Sequence, residues 1–132
     1  MQEVKLMEPT LLTYRLSPQV QSLIDSLCRM LAIRCIPVPP EREGLAIGAL
    51  LGLLPAQPGG KPVPGAMLVM AFFDGKLLND FLEAYRTMQI PPVPHKAMLT
   101  ITNTVWTGAE LYEHITREMA AVQRDGKEKQ GR

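Results

Sequence analysis

Chemistry-bearing residues are scarce in this chain. It has two cysteines and two histidines in 132 residues. No Cys or His stands at ligand spacing from His95 or His114, so the pattern predicts no metal site. The G-x-S-x-G, G-x-x-x-x-G-K-[ST] and G-x-G-x-x-G patterns are absent, which removes the common hydrolase, nucleotide and dinucleotide motifs. Glu41, Glu43, Asp80 and Glu83 form no catalytic pair, and the sequence points to no catalytic residue and no cofactor. A net charge of +1 with scattered Lys and Arg excludes an electrostatic footprint for nucleic acid. The N-terminus Met1–Glu8 lacks the apolar stretch of a signal peptide. Cys28 reads as a buried thiol on a helix face, and a core of adequate size has no need of a disulfide. These absences together predict a cytoplasmic protein.

What is present is a pattern that occurs twice. An apolar run, Leu11 to Leu16, is followed by the cap Ser17, a helical stretch Pro18 to Ala32 and a short strand Arg34 to Val38. A second run, Met67 to Phe73, is followed by the cap Asp74, a stretch Gly75 to Gln89 and a strand His95 to Ile101. Ser17 and Asp74 lie 57 positions apart. The same shift places Val20 on Leu77, Ile24 on Phe81, Leu31 on Met88, Ile33 on Ile90 and Pro37 on Pro94. In the first run Leu12, Tyr14 and Leu16 alternate with Leu11, Thr13 and Arg15. Ser17 with Pro18 is a helix start in which the missing proline N–H costs nothing. The run Met67 to Phe73 does not alternate, so it predicts a central strand covered on both faces.

The remaining segments are read from composition. Pro55 to Gly65, with four prolines and three glycines, predicts a mobile loop. Thr107-Gly-Ala-Glu110 fits a capping box, and Leu111, Ile115, Met119 and Val122 recur on one face of the helix that follows. Residues 124–132 mix both charge signs and predict a frayed tail. Hydrophobic residues make up 46% of the chain, which argues against disorder. The length fits one domain over residues 1–123.

Two segments suggest binding. Gly44-Leu-Ala-Ile-Gly-Ala-Leu-Leu-Gly-Leu-Leu54 is too short to cross a bilayer, which needs about 20 apolar residues. In a helix, Gly44, Gly48 and Gly52 would share one face and admit a second backbone, predicting a homodimer interface or a ligand-lining surface. The competing reading gives these glycines to turns and tight internal packing. The second segment runs from Lys96 to Thr107. Thr100, Thr102, Asn103, Thr104 and Thr107 crowd ahead of a helix N-terminus, with Lys96 and Trp106 alongside, which suits a small anion. Here too a structural alternative exists: Asn103 makes an Asx-turn, Thr107 caps the helix and Trp106 anchors it.

The stretch Pro94-His-Lys-Ala-Met-Leu-Thr-Ile-Thr-Asn-Thr-Val-Trp106, followed by Leu111-Tyr-Glu-His, resembles the ending of small bacterial proteins grouped as a domain of unknown function. Their tails read approximately P-x-K-A-x-L-T-x-T-N-x-x-W. Lys96, Ala97, Leu99, Thr100, Thr102, Asn103 and Trp106 carry the resemblance. Met67 to Ile90 is similar as well, so it covers roughly the C-terminal half. It implies no activity.

The pattern predicts an α+β protein, a ferredoxin-like two-layer β-α-β-β-α-β sandwich with an additional C-terminal helix, in which the first and third strands are central. A three-layer α/β sheet is the other arrangement considered. The function expected is that of a non-enzymatic module binding a small anion or a protein partner, with no nucleic-acid or membrane role. The alternative is an enzyme acting on a small anionic substrate at the Lys96–Thr107 corner.

Overall fold

A computed structural model describes residues 7–57 and 59–130, with side chains described through Gln123. The chain forms two compact units. The first joins residues up to Val38 with Ala66–Leu99, and the second joins Pro39–Gly65 with the segment from Thr100 onward.

The first unit is built from β1 (Thr10–Tyr14), α1 (Pro18–Met30), β2 (Arg34–Pro37), β3 (Met67–Ala71), α3 (Gly75–Thr87) and β4 (Lys96–Met98). Both helices start as the capping residues dictate. The Ser17 hydroxyl accepts from Val20 N at 3.3 Å and the Asp74 carboxylate from Leu77 N at 2.7 Å. Both also end alike, on a residue with positive φ, Ala32 (57°) and Gln89 (55°). Ile33 N returns to Cys28 O and Ile90 N to Tyr85 O, so each helix closes in a Schellman motif. The strands are broken by a matching pair of positive-φ residues, Arg15 (53°) and Phe72 (65°). Each of these pairs is separated by the 57 positions seen in the sequence. Leu16 falls out of the alternation after Arg15: it packs against the cluster that holds Leu11, to which Leu12 and Tyr14 do not belong.

The sheet order is β2-β1-β3-β4. β1 and β3 are central and antiparallel, and every residue of both is buried. β2 lies parallel to β1 and β4 parallel to β3. The α+β class therefore stands, with a mixed four-stranded sheet. The ferredoxin-like arrangement does not, because there each β-α-β unit is split by a strand of the other. Here each unit pairs its own two strands. Hydrophobic patterning marks a strand as central, but it does not say which outer edge a flanking strand takes. The three-residue return Leu31–Ile33 brings β2 back beside β1.

Leu11, Leu68 and Met70 join Ile24, Leu27, Cys28 and Phe81 in one apolar cluster between sheet and helices. Each fully buried large side chain contributes about 1.5–3 kcal/mol. Thr13, buried within the strand, is satisfied by donating to Gln21 Oε1 at 2.7 Å.

The second unit contains a 3-10 turn (Pro40–Arg42), the single-turn helix α2 (Ile47–Leu50), a second 3-10 turn (Asn103–Val105) and α4 (Gly108–Gln130). Ala46 and Thr107 bridge, and Ile47 N donates to Trp106 O at 2.8 Å. Ile47, Val63 and Leu111 are buried here. The described residues of the loop after Leu54 have no regular structure, yet Glu43, itself buried, accepts from Val63 N at 2.9 Å. Helix α4 continues through residues 124–130, where the sequence predicts a tail; residues 131–132 lie outside the described residues. Among the described residues no helix is long and apolar enough to cross a membrane.

Candidate functional site

The two β-α-β halves differ in one place. The ladders pair Leu11 with Cys35 and Leu68 with Lys96, so Cys35 and Lys96 are equivalent positions. Ile33 and Ile90 are equivalent too, as the Schellman residues show. Between Ile33 and Cys35 stands Arg34 alone; between Ile90 and Lys96 stand Pro91, Pro92, Val93, Pro94 and His95. The simple 57-residue shift, which sets Pro37 on Pro94, thus fails beyond Ile90.

This longer connection opens a cleft of about 300 Å³ beside α3, lined by Phe81, Leu82, Tyr85, Arg86, Ile90, Pro92 and Lys96. Phe81 forms its floor: it is fully buried and meets Phe73 edge-on at 5.7 Å. Tyr85 donates its hydroxyl to Pro91 O at 2.6 Å, pinning the proline segment to the helix. Burial raises the Tyr85 pKa above the ordinary phenol value, with the Val93 backbone acting the other way. Burial also lowers that of His95, at the end of the same segment.

In the first half the equivalent positions are Ile24, Asp25, Cys28, Arg29, Ile33 and Cys35, and some of their side chains are hydrogen-bonded. Gln21 donates to Asp25 Oδ1 at 2.8 Å and to Cys35 Sγ at 3.6 Å. The Cys28 thiol beside it, and burial, hold Cys35 well above the usual thiol range. Both cysteines are free. Where Asp25 supplies a carboxylate, the second half has Leu82.

The residues singled out from sequence fall in both units. Lys96 opens β4 in the first unit, is exposed and borders the cleft. Thr100, Thr102, Asn103, Thr104, Trp106 and Thr107 belong to the second unit. The structure brings Thr100, Asn103 and Thr104 together. Asn103 Oδ1 accepts from Thr100 N at 2.8 Å, and Thr100 Oγ1 accepts from Asn103 N at 3.0 Å. The Thr104 hydroxyl donates to Thr100 O at 2.6 Å. This knot ends β4 at Met98, three residues short of the expected strand. Thr107 and Glu110 form the reciprocal capping box, at 2.9 and 3.3 Å. Thr102 is exposed. Trp106 packs its ring on His114 at 5.0 Å. Among the described residues no three His, Cys, Asp or Glu side chains gather as a metal would require.

Residues 66–122 match the family model of DUF3783, a domain of unknown function. No curated protein and no solved structure matches the chain. The DUF3783 match contains every residue lining the cleft and the whole Thr100–Thr107 corner, and it leaves out the first β-α-β half. It also excludes the glycine-rich segment, which does not form the continuous helix that a shared glycine face requires. Only Ile47–Leu50 is helical. Gly44 lies against the backbone of Gly60, where an added Cβ would come within 2.6 Å of the carbonyl oxygen. A Cβ on Gly48 would meet Thr104 Cγ2 at 2.6 Å, and Gly52 has φ +77°. The three glycines thus serve two close approaches and a left-handed turn.

The sequence reading placed Lys96 at the Lys96–Thr107 corner and named no other residue that lines the cleft as a site residue. The available signal was the loss of the 57-residue register between Ile90 and Lys96, together with the exchange of Asp25 for Leu82.

Proposed function

We propose that this protein is a non-enzymatic binding module whose site is the cleft between α3 and the start of β4. One observation carries the reading. Two halves built on the same plan differ where the second has a longer, proline-rich connection, and there an apolar cleft stands where the first half has a hydrogen-bonded cluster. A cleft of this size is at the lower end of those that take small molecules. Its floor is rigid, because Phe81 is locked in the core and Tyr85 is tied to Pro91. A reducing, cytoplasmic setting suits the two free thiols.

An enzyme working at the Lys96–Thr107 corner has less support, since Thr100, Asn103, Thr104, Thr107 and Glu110 engage one another. So does a homodimer through Gly44, Gly48 and Gly52, whose small size is taken up by neighbours in their own unit and by a turn. The test is amide chemical-shift mapping of the full chain against a panel of small aliphatic and aromatic compounds, neutral and charged. Shifts clustering on residues 81–86 and 90–96 support the module. Shifts confined to the Thr100–Thr107 corner, or none at all, count against it.

A further inference from the structure

We infer that the ligand of this cleft is an amphipathic organic anion, its apolar part lodged against Phe81, Leu82, Ile90 and Pro92 and its carboxylate reaching Arg86 and Lys96; this rests on the binding-module reading above. The charge of the lining carries the inference. Two cations border the cleft and no carboxylate does. The one acid that the fold would place there, at the position of Asp25, is Leu82. Nor does either cation form an ion pair among the described residues, whereas Lys76 pairs with Asp80 at 2.9 Å on the same helix. Leu82 lies one turn before Arg86 on α3, and Glu83, three positions before it, forms no ion pair with it among the described residues.

Tyr85 contributes its ring to the wall, because its hydroxyl proton is committed to Pro91 O. The polar recognition of a ligand therefore falls to a guanidinium and an ammonium, both of which donate and neither of which accepts. Such a set favours a carboxylate over an alcohol and rejects an amine. About 300 Å³ holds roughly ten non-hydrogen atoms at ~30 Å³ each, which sets the size of a medium-chain or single-ring acid.

The experiment compares octanoate, 1-octanol and octylamine on the full chain by calorimetry at neutral pH and low salt. Octanoate should bind on the order of tenfold tighter than 1-octanol, as one or two charge-assisted hydrogen bonds would give. Octylamine should bind more weakly than the alcohol. Changing Arg86→Gln and Lys96→Gln together should reduce octanoate to the level of the alcohol. Leu82→Asp, which restores the carboxylate of the first half, should remove octanoate binding, with an unaltered circular-dichroism spectrum certifying the fold. If octanol and octanoate bind equally to the wild type, or the amine binds best, the anion assignment falls while the module reading stands. If none of the three binds and the broader panel also gives no shifts at the cleft, both fall.

Discussion

Leu12 and Val69 stand opposite each other at the middle of the β1–β3 ladder, and each holds the position in its own β-α-β half that the other holds in its half. Thr10 pairs with Ala71 and Tyr14 with Met67, so the ladder reads the same from either strand. A local two-fold axis therefore passes through this pair. The caps, the helix bounds and the four positive-φ residues of the first unit follow the same symmetry.

Both residues are fully buried. Leu12→Ala should lower stability by about 2–4 kcal/mol, and Val69→Ala by somewhat less. Because the two share a contact across the ladder, the double variant should depart from the sum of the singles. Urea denaturation of all three checks this. Strict additivity would mean that the pair is not in contact.

Ala32 and Gln89 close the two Schellman motifs with left-handed backbone, a conformation that a Cβ disfavours. Ala32→Gly and Gln89→Gly should each raise stability, by about 0.5–1 kcal/mol. A loss at either site in the same denaturation assay would contradict the helix ending described here.

Gly48 is hemmed in by Thr104, whose carbonyl oxygen would lie 2.9 Å from an added Cβ. Gly48→Leu should destabilise by about 1–3 kcal/mol through overpacking. Light scattering separates this from a role in self-association: the change should leave the mass of the folded protein as it was.

Two groups around the cleft make stability depend on pH in opposite ranges. Burial favours neutral His95, so its folded pKa lies below the ordinary 6.5. Above 6.5 the imidazole is neutral in both states. As pH falls through 6.5 the unfolded chain takes the proton first, and stability drops until the lowered folded value is passed. His95→Gln should flatten this acid limb. Tyr85 behaves as an acid with a raised pKa, so stability should fall as pH rises from 10 through the folded value, and Tyr85→Phe should flatten that alkaline limb. Denaturation midpoints across both ranges, compared with each variant, provide the check. Parallel curves for wild type and variant would remove the group concerned.

Much of the first unit was legible because its signals are local. Ser17 and Asp74 cap where their side chains predict, α1 and α3 begin where the capping residues place them, and the unalternating run at Met67 forms a buried inner strand. Thr107 and Glu110 likewise form the capping box that their spacing implies. At the glycine segment spacing alone misled, since four-residue intervals describe a stripe only in a continuous helix. At the Lys96–Thr107 corner, composition suggested a site, while the structure shows Thr100, Asn103 and Thr104 bonded to one another.

The amino-acid sequence by itself determined the two β-α-β repeats, their caps and the α+β class, because hydrophobic period and side-chain capping act within a few residues. Only the tertiary structure decided that each outer strand lies beside the inner strand of its own half, and that the proline segment after Ile90 leaves an apolar cleft with Lys96 at its rim. Those outcomes depend on which distant groups come to fill a space. Gln21, Asp25 and Cys35 bond to one another in one half; in the other, Leu82 and Tyr85 line a cleft.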